Sequence, residues 1–472
     1  MKIQASAFPA PRRRRFRMVG AVLAVALAGC LVAGGLWALR SSPVPKGPPP
    51  APGPAAQARS AVTAGVPAAL PDLAVLIDER ETRVRTHPRD AASWAVLGTA
   101  YVEQGRRLAD AAFYPTAEKA LRTSLRVRPR GNAPALEGLA ALSNARRDFR
   151  SGRKWAQAAL KLEPRRWTTY PLLIDACTGL GDHKGAKRSL DRLDELHSGP
   201  AVRARAAGVY RDLGWREDAA AALSDAAAAA EQPAERAAWL ERGGQLAWER
   251  GDREAALRHF SEAVRTDPDQ RAAQAGQARA LAALGRTSEA LSTYRVALAK
   301  QPAPEYALEL GELYESLGLG QAARVQYDLL RTQVRNAAAG GADEELVLAR
   351  METDHGNAVE AVRLLRAQWS RQPSIAVADA LAWALHAAGQ DKEALKLAVR
   401  ATEPLHGGGV RSALYAYHRG MIERSLERYG AARRHLREAL QINPYFSPLH
   451  VPLARAALAR LGEPPTSAQR VQ

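Results

Sequence analysis

The chain has 472 residues, of which 6% are aromatic, and it carries a formal net charge of +18 at pH 7. Two cysteines are too few for a disulfide framework, which excludes a disulfide-stapled fold. The charge lies mainly in residues 1–71, with nine Lys/Arg and no acid, and in residues 119–166, with thirteen Lys/Arg and three acids. The remainder is close to neutral, so a uniformly basic surface is excluded. The excess of arginine over lysine, with abundant alanine, favours a GC-rich bacterial source such as an actinobacterium.

An uncharged apolar run at residues 18–39 predicts a transmembrane helix. As a helix, its 22 residues would be about 33 Å long, enough to cross a hydrocarbon core of about 30 Å. The run follows the basic segment 1–17, whereas only Arg40 and Lys46 follow it closely. The positive-inside rule places the N-terminus in the cytoplasm and the rest of the chain on the extracytoplasmic side of the cytoplasmic membrane.

Two other interpretations of this run remain open. Leu27-Ala28-Gly29-Cys30 resembles a bacterial lipobox, whose cysteine is lipidated after cleavage, although the sequence stays apolar beyond the cysteine. A cleaved signal peptide would have a shorter apolar core and a small-residue cleavage site. All three interpretations place the residues after the run across the membrane.

Residues 40–71 are predicted to form a disordered Pro/Ala-rich linker. Seven prolines between residues 43 and 54 favour an extended, semi-rigid chain. At about 3.1 Å per residue, the linker could hold the following domain several tens of ångströms from the bilayer. A helical period then begins at Leu73, Leu76 and Ile77.

A repeated pattern dominates the rest of the chain. Gly251, Ala256, Phe260, Ala263 and Pro268 recur with the same spacing from residue 285, and a third copy begins at residue 318. The alanine, the aromatic and the second alanine share one helical face, the glycine ends the preceding helix, and the proline stops the next one. A period of 33 to 34 residues predicts an array of stacked helical hairpins.

These residues resemble the tetratricopeptide repeat (TPR) family. The first-helix half of that family's pattern is present as Trp94-x2-Leu97-Gly98-x2-Tyr101, and part of it recurs at residues 310–314. The resemblance implies an all-α fold, a TPR-type solenoid of helical hairpins preceded by the transmembrane helix and the linker.

The resemblance also implies the extent of the solenoid. We expect about ten repeats with capping helices over residues 72–462, followed by a disordered tail at residues 463–472. Relative to the family pattern, the first repeat contains about seven extra residues around 106–113. A Pro- and aromatic-rich run at residues 442–450 is predicted to shape the end of the array.

The sequence shows no motif of an enzyme. Phosphate loops, nucleophile elbows, zinc-protease motifs and Cys-x-x-Cys are absent from the sequence, so we expect no catalytic, cofactor-binding or metal site. His355, His386, His418 and His450 are spaced 31, 32 and 32 residues apart. The position of the histidine within the repeat changes from one repeat to the next. We therefore expect the four side chains to lie apart and not to form one cluster.

In TPR proteins, the first helices of the repeats line a concave groove that binds peptides or partner helices. Trp248 and Trp383 are the predicted aromatic anchors of that groove here. Carried over position by position, the predicted groove residues are Glu241, Gln245, Trp248, Glu312, Glu315, Asp379, Trp383, His386, Tyr417 and Arg424.

The basic stretch 119–166 predicts a second surface, which would bind an acidic protein, an anionic wall polymer or anionic lipid headgroups. An extracytoplasmic location argues against nucleic acid as the partner. The predicted patch comprises Arg126, Arg128, Arg130, Arg146, Arg147, Arg150, Arg153 and Lys154.

The sequence therefore predicts a membrane-tethered TPR scaffold that binds protein partners outside the cytoplasm, in envelope assembly or maturation. One alternative is a lipid-anchored protein with the same role. The others are a TPR regulator facing the cytoplasm and an enzyme whose site is carried by the histidines.

Overall fold

A computed structural model describes residues 52–403 and 409–462, and these form 23 helices and no strand. The all-α fold class is thereby confirmed. The helices are Pro54–Ala64 (α1), Leu70–Thr86 (α2), Ala91–Leu108 (α3), Phe113–Val127 (α4), Ala133–Ala145 (α5), Phe149–Leu162 (α6), Thr169–Gly179 (α7), His183–Leu196 (α8), Pro200–Asp212 (α9), Arg216–Ala229 (α10), Pro233–Glu249 (α11), Arg253–Thr266 (α12), Arg271–Ala283 (α13), Thr287–Lys300 (α14), Pro304–Ser316 (α15), Gly320–Ala339 (α16), Glu345–His355 (α17), Ala358–Arg371 (α18), Ile375–Ala387 (α19), Asp391–Thr402 (α20), Ala413–Ser425 (α21), Tyr429–Ile442 (α22) and His450–Leu461 (α23).

Helices α3 to α22 form ten consecutive hairpins in this described part, each of a first and a second helix. The first helix of each hairpin packs on its own second helix, and in most units also on the first helix of the next hairpin. Helices α1 and α2 pack before the first hairpin, and α23 packs after the last one. The array is therefore a solenoid in which each hairpin buries its apolar face against its neighbours.

A tight turn joins the two helices of a hairpin, and glycine supplies it in most repeats. Gly251 has a φ of 80°, a left-handed conformation that glycine adopts at little cost. The same conformation is taken by Gly181, Gly214, Gly285, Gly318 and Gly389, with φ between 70° and 83°.

The predicted helix-packing face is buried. Ala256, Phe260 and Ala263 of α12 are each 0% exposed. A Cβ placed on Gly244 or Gly276, on the two flanking first helices, would come within 2.7 Å or 2.4 Å of the Phe260 ring. The phenyl ring therefore fills a space that only glycine leaves open.

The linker prediction for residues 40–71 is wrong from residue 54 onward. Residues 54–64 form α1, in which Ala58, Ala61 and Val62 are buried. Pro54 stands in the first turn, where a helix tolerates proline because that N–H has no intrahelical partner. The small side chains at i, i+3 and i+4 then pack on α2.

Part of the predicted organisation lies outside the described residues. This applies to the basic segment 1–17, the apolar run 18–39, Cys30, the linker residues 40–51 and the tail 463–472. Over residues 52–403 and 409–462, none of the helices has the length and apolar character needed to cross a membrane.

The solenoid contacts itself between residues far apart in the sequence, in several places about 195 residues apart. The Asn443 side-chain amide donates to the Trp248 carbonyl at 2.7 Å, 195 residues away. Arg216 donates to the Arg411 carbonyl across the same interval, and Gln301 donates to the Arg107 carbonyl across 194 residues. Successive turns of the superhelix are therefore in direct contact. We call this boundary the seam.

The extra residues of the first repeat contribute to the seam. They lengthen α3 to 18 residues, ending at Leu108, and place Arg107 opposite the loop after α12. There the Arg107 guanidinium contacts the Asp267 carboxylate at 2.7 Å, with both side chains almost fully buried. The insertion thus joins the first repeat to the next turn of the superhelix.

Candidate functional site

Among the cavities of the part of the chain that the structure describes, two sizeable ones lie along the first helices of the array. The larger, which we call the central cavity, has a volume of about 620 Å³. Its walls come from the first helices α9, α11, α13, α15, α17, α19 and α21, from α23, and from the segments 410–412 and 443–448. The predicted end-shaping run at residues 442–450 supplies much of one wall. The volume falls within the usual range for a ligand pocket.

The smaller N-terminal cavity has a volume of about 400 Å³ and lies mainly between α3, α5 and α7. Arg166 contacts Glu137 at 2.8 Å there, and Arg205 contacts Asp175 at 2.8 Å. Arg242 lies over the Trp239 ring at 5.0 Å, and burial lowers the pKa of Arg242 to about 10. The sequence did not predict this cavity. Its lining residues stand at the same first-helix positions as the predicted groove, several repeats earlier.

Four of the predicted groove residues line the central cavity. They are Gln245, Trp248, Glu312 and Asp379. Trp248 is 8% exposed, and the Arg279 guanidinium lies 5.6 Å from its ring centroid. Trp248 therefore forms part of the cavity wall, where a cation and an indole lie side by side.

Trp383 and Tyr417 do not line the central cavity. The Trp383 indole N–H donates to Asp354 at 2.8 Å, and its ring stacks on His418 with centroids 4.3 Å apart. Tyr417 is 1% exposed and packs against Trp383 and Phe446. Both rings stabilise the packing between repeats, because neighbouring first helices lie close enough to enclose them.

The other predicted groove residues are also absent from the cavity walls. The Tyr327 hydroxyl donates to Glu315 at 2.8 Å, and His355 on the first helix of the next repeat lies 3.0 Å from the same carboxylate. His386 lies 2.5 Å from Asp391, in the next helix. Glu241 and Arg424 line neither cavity.

The histidines converge more than their register predicts. His386, His418 and His450 surround Trp383, with ring centroids 5.0, 4.3 and 5.9 Å from the indole. A long helical side chain points toward the N-terminus of its helix. The indole therefore lies over the preceding turn of its own helix. This brings it close to His418 and His450, which stand earlier within their own repeats than Trp383 does.

Each of these histidines faces a carboxylate. His418 Nδ1 lies 3.0 Å from both Asp379 oxygens, and His450 Nε2 lies 3.6 Å from Asp354. Burial alone would raise the pKa of Asp354, but His450 and Trp383 outweigh it and lower the pKa to about 2. Among the described residues, no group of three or more His, Cys, Asp or Glu side chains could hold a metal ion.

Most charges of the central cavity are paired. Arg211 contacts Glu249 through two nitrogens, both at 2.7 Å, and Arg279 contacts Glu309 at 2.6 Å. Glu312 has no hydrogen-bond or ion-pair partner among the described residues, and burial raises its pKa to about 7. Buried carboxylates without a partner favour their neutral form.

The cavity also contains three arginines that the sequence did not single out. They are Arg350 on α17, Arg411 just before α21 and Arg455 on α23. Each is exposed, and none forms a side-chain hydrogen bond or ion pair with a described residue. Their spacing along the sequence is irregular, so only the fold brings them to one cavity.

The predicted basic patch is divided by the seam. Arg147 contacts Glu305 and Glu344 at 3.1 and 2.8 Å, and Arg150 donates to the Ser370 carbonyl at 2.6 Å. Arg146 contacts Glu118 at 2.6 Å, and Arg153 lies 3.8 Å from Asp182. These four are therefore not a free cationic surface. The exposed members are Arg126, Arg128, Arg130, Arg150 and Lys154, and of these Arg150 is the one bound across the seam.

The family model of the tetratricopeptide repeat matches residues 242–303, 284–338 and 413–446. The chain contains tetratricopeptide repeats. The matches fall on the fifth to seventh and the tenth TPR hairpins, and the remaining hairpins have the same helical arrangement. No curated protein matches the sequence.

The chain is also similar to solved structures. A human IFIT1 dimer with PPP-AAAA shares 16% identity, covering 69% of this chain and 76% of that chain with a TM-score of 0.45. A tetratricopeptide repeat protein from Parabacteroides merdae shares 18% identity, covering 56% and 99%, with a TM-score of 0.32. Yeast Tom70 shares 14% identity, covering 81% and 99%, with a TM-score of 0.32.

Proposed function

We propose that this protein is a scaffold that holds a segment of a partner protein in its central cavity, tethered to the cytoplasmic membrane and facing outward. The observation that carries the proposal is the cavity of about 620 Å³ along the first helices. TPR proteins generally mediate protein–protein interaction, and in this family the first helices bind the partner.

The composition of the cavity supports binding of a polypeptide. Trp248, Tyr445, Phe446 and Leu313 supply apolar surface, while paired charges and backbone groups supply hydrogen-bonding partners. An apolar wall with a few placed polar groups is typical of a binding site. The seam supports the proposal further, because contacts between superhelical turns hold these walls in place.

The tether rests on the sequence alone. Residues 18–39 are uncharged and apolar and follow a run of arginines, which favours an outward-facing C-terminal part. A role in envelope assembly or maturation follows from that location.

Capture from solubilised membranes tests the binding proposal. Ser316→Trp with Ala376→Trp introduces two large side chains at exposed positions of the cavity wall. We expect this variant to lose the partner proteins that the full-length wild-type chain captures. The matched control is Ser292→Trp with Ala299→Trp, at exposed positions of α14 outside both cavities.

The outcome separates cavity binding from binding elsewhere. Retention of every partner by the cavity variant would show that the central cavity is not the binding site. Loss in both variants would point to a general effect of added tryptophan, which equally contradicts the proposal.

Reporter fusions at the C-terminus test the tether. We expect activity from alkaline phosphatase, which matures only after export, and no fluorescence from a green fluorescent protein that fails to fold there. Fluorescence without phosphatase activity contradicts the outward orientation. The Cys30→Ser variant distinguishes a spanning helix from a lipid anchor. An unchanged mass of the protein fits a spanning helix, whereas a heavier, unprocessed precursor indicates lipidation at Cys30.

A further inference from the structure

The central cavity has more arginine side chains than carboxylates that pair with them. Five arginines line it, and two of these are neutralised by Glu249 and Glu309. The other three, Arg350, Arg411 and Arg455, make no side-chain contact with a described acceptor. Unpaired guanidinium groups in a recess are suited to a ligand that brings its own anions, since each can hold a carboxylate through two parallel hydrogen bonds.

The remaining carboxylates of the cavity leave this excess in place. Asp379 faces His418 at 3.0 Å. Glu312 carries less than a full negative charge at neutral pH, because burial raises its pKa to about 7. The cavity therefore presents a net cationic wall to whatever enters it.

We propose that the central cavity selects an acidic stretch of the partner protein, whose carboxylates are held by Arg350, Arg411 and Arg455. This inference rests on the proposed function, since it names the chemistry of the segment that the cavity holds. The apolar surface of Trp248 and Phe446 favours a stretch in which apolar residues separate the acids.

The same cavity is poorly suited to a nucleic acid. A nucleic-acid backbone carries one negative charge per nucleotide, whereas only three of the five cavity arginines lack a carboxylate partner among the described residues. A peptide fits these few cations better, because its neutral backbone can pass the ion-paired part of the wall while its carboxylates face the three arginines. The mixed charge of the wall thus favours a protein segment.

A peptide selection tests the inference with the full-length protein in detergent. Random dodecapeptides displayed on phage are selected on the wild-type chain. The tightest peptide is then labelled, and its affinity is measured by fluorescence anisotropy. We expect an excess of Asp and Glu among the selected peptides. We also expect a loss of affinity when the acids of the tightest peptide are changed to Asn and Gln.

Charge removal locates the binding site. Arg350→Gln, Arg411→Gln and Arg455→Gln are expected to weaken the selected peptide roughly tenfold or more when combined, because charge-assisted hydrogen bonds are lost. The matched control is Arg258→Gln, Arg324→Gln and Arg437→Gln, which removes the same charge from exposed positions on second helices. A melting curve of each variant confirms folding, and the triple Arg→Lys variant is expected to bind with intermediate affinity.

The possible results separate the two proposals. Absence of any peptide enrichment overturns both. Enrichment without an acidic excess, or equal weakening by both charge variants, overturns the acidic-stretch inference and leaves peptide binding standing. Binding of a twelve-nucleotide single-stranded RNA that depends on the three cavity arginines, more tightly than the best peptide, also overturns it.

Discussion

At the scale of single residues, the central cavity is defined by which charges are paired. Arg211 and Arg279 are held by carboxylates at 2.7 and 2.6 Å, so they shape the wall. Glu312 is partly buried without such a partner. Paired groups keep their charge over a wide pH range, whereas an isolated buried carboxylate makes stability depend on pH.

Glu312→Gln is expected to stabilise the protein above neutral pH. The pKa of Glu312 is about 7 in the folded chain and about 4.3 when unfolded. The folded state therefore binds more protons between these values, and stability falls as pH rises through that window. With a discount for partial exposure, we expect a gain of about 2 kcal/mol at pH 8 and little change at pH 4.

Melting temperatures of the wild type and the variant at pH 4, 6 and 8 check this expectation. Glu254→Gln, at an exposed position of α12, serves as the control and should leave the pH profile unchanged. An equal difference between Glu312→Gln and wild type at all three values would contradict the buried, unpaired state of Glu312.

At the scale of the helical element, the fifth and seventh hairpins each place an aromatic ring against glycine. Phe260 lies against Gly244 and Gly276, and Tyr327 lies 2.4 Å from where a Cβ on Gly311 would be. The ring and the missing side chain form one packing unit, because no void remains for an added atom. This arrangement fixes the spacing of neighbouring first helices, and so the width of the cavity between them.

Gly276→Ala is expected to destabilise the array by about 2 kcal/mol through overpacking against Phe260. The matched control is Gly208→Ala in the middle of α9, where an added Cβ meets nothing within 4 Å. The control should gain up to about 1 kcal/mol from the higher helix propensity of alanine. Urea unfolding followed by circular dichroism measures both, and destabilisation by Gly208→Ala as large as that by Gly276→Ala would refute the packing argument.

At the scale of the whole described unit, the seam turns a solenoid into a closed superhelix. Hairpin turns of early repeats contact loops that lie about one superhelical turn later. A Cβ on Gly214 would lie 2.5 Å from the Gly409 carbonyl oxygen, and one on Gly251 would lie 3.0 Å from Ile442 O. The glycines at these turns serve two needs, a left-handed turn and a close approach.

The turn glycines provide a test of the seam. Gly181, Gly214 and Gly251 contact the next turn of the superhelix, whereas Gly285, Gly318 and Gly389 have the same positive φ and nothing within 4 Å of a Cβ. Changing either set to alanine adds backbone strain of about 1 kcal/mol per turn. Only substitution of the first set should also push the two turns of the superhelix apart at the seam.

Hydrogen exchange of the full-length protein measures the difference. We expect faster exchange of the segments 409–412 and 443–448 in the seam variant, and no change there in the control. Equal exchange in both variants would show that the seam contacts do not hold the superhelix closed.

Much of the fold could be predicted because it depends on local rules. The Gly–Ala–aromatic–Ala–Pro period required only helix geometry and turn conformation, and Phe260 is buried as that geometry demands. The linker prediction failed at residues 54–64 because a proline in the first turn is compatible with a helix, and the helically spaced Ala58, Ala61 and Val62 give that helix an apolar face to bury. Of the two predicted aromatic anchors, Trp248 lines the central cavity, whereas Trp383 stacks on His418 of the next repeat. This difference depends on tertiary neighbours, which their similar positions within the repeat do not show.

The sequence by itself determined the helical hairpins, their stacking order and the face that each one buries, since those follow from residues within one period of each other. It also determined the apolar run at 18–39, whose role stays a prediction. The tertiary structure alone decided which residues meet across about 195 positions of sequence. Contacts such as Asn443 with Trp248, and the cavity shared by Arg350, Arg411 and Arg455, depend on the pitch of the superhelix. That pitch is the sum of small rotations between repeats, and no single repeat encodes it.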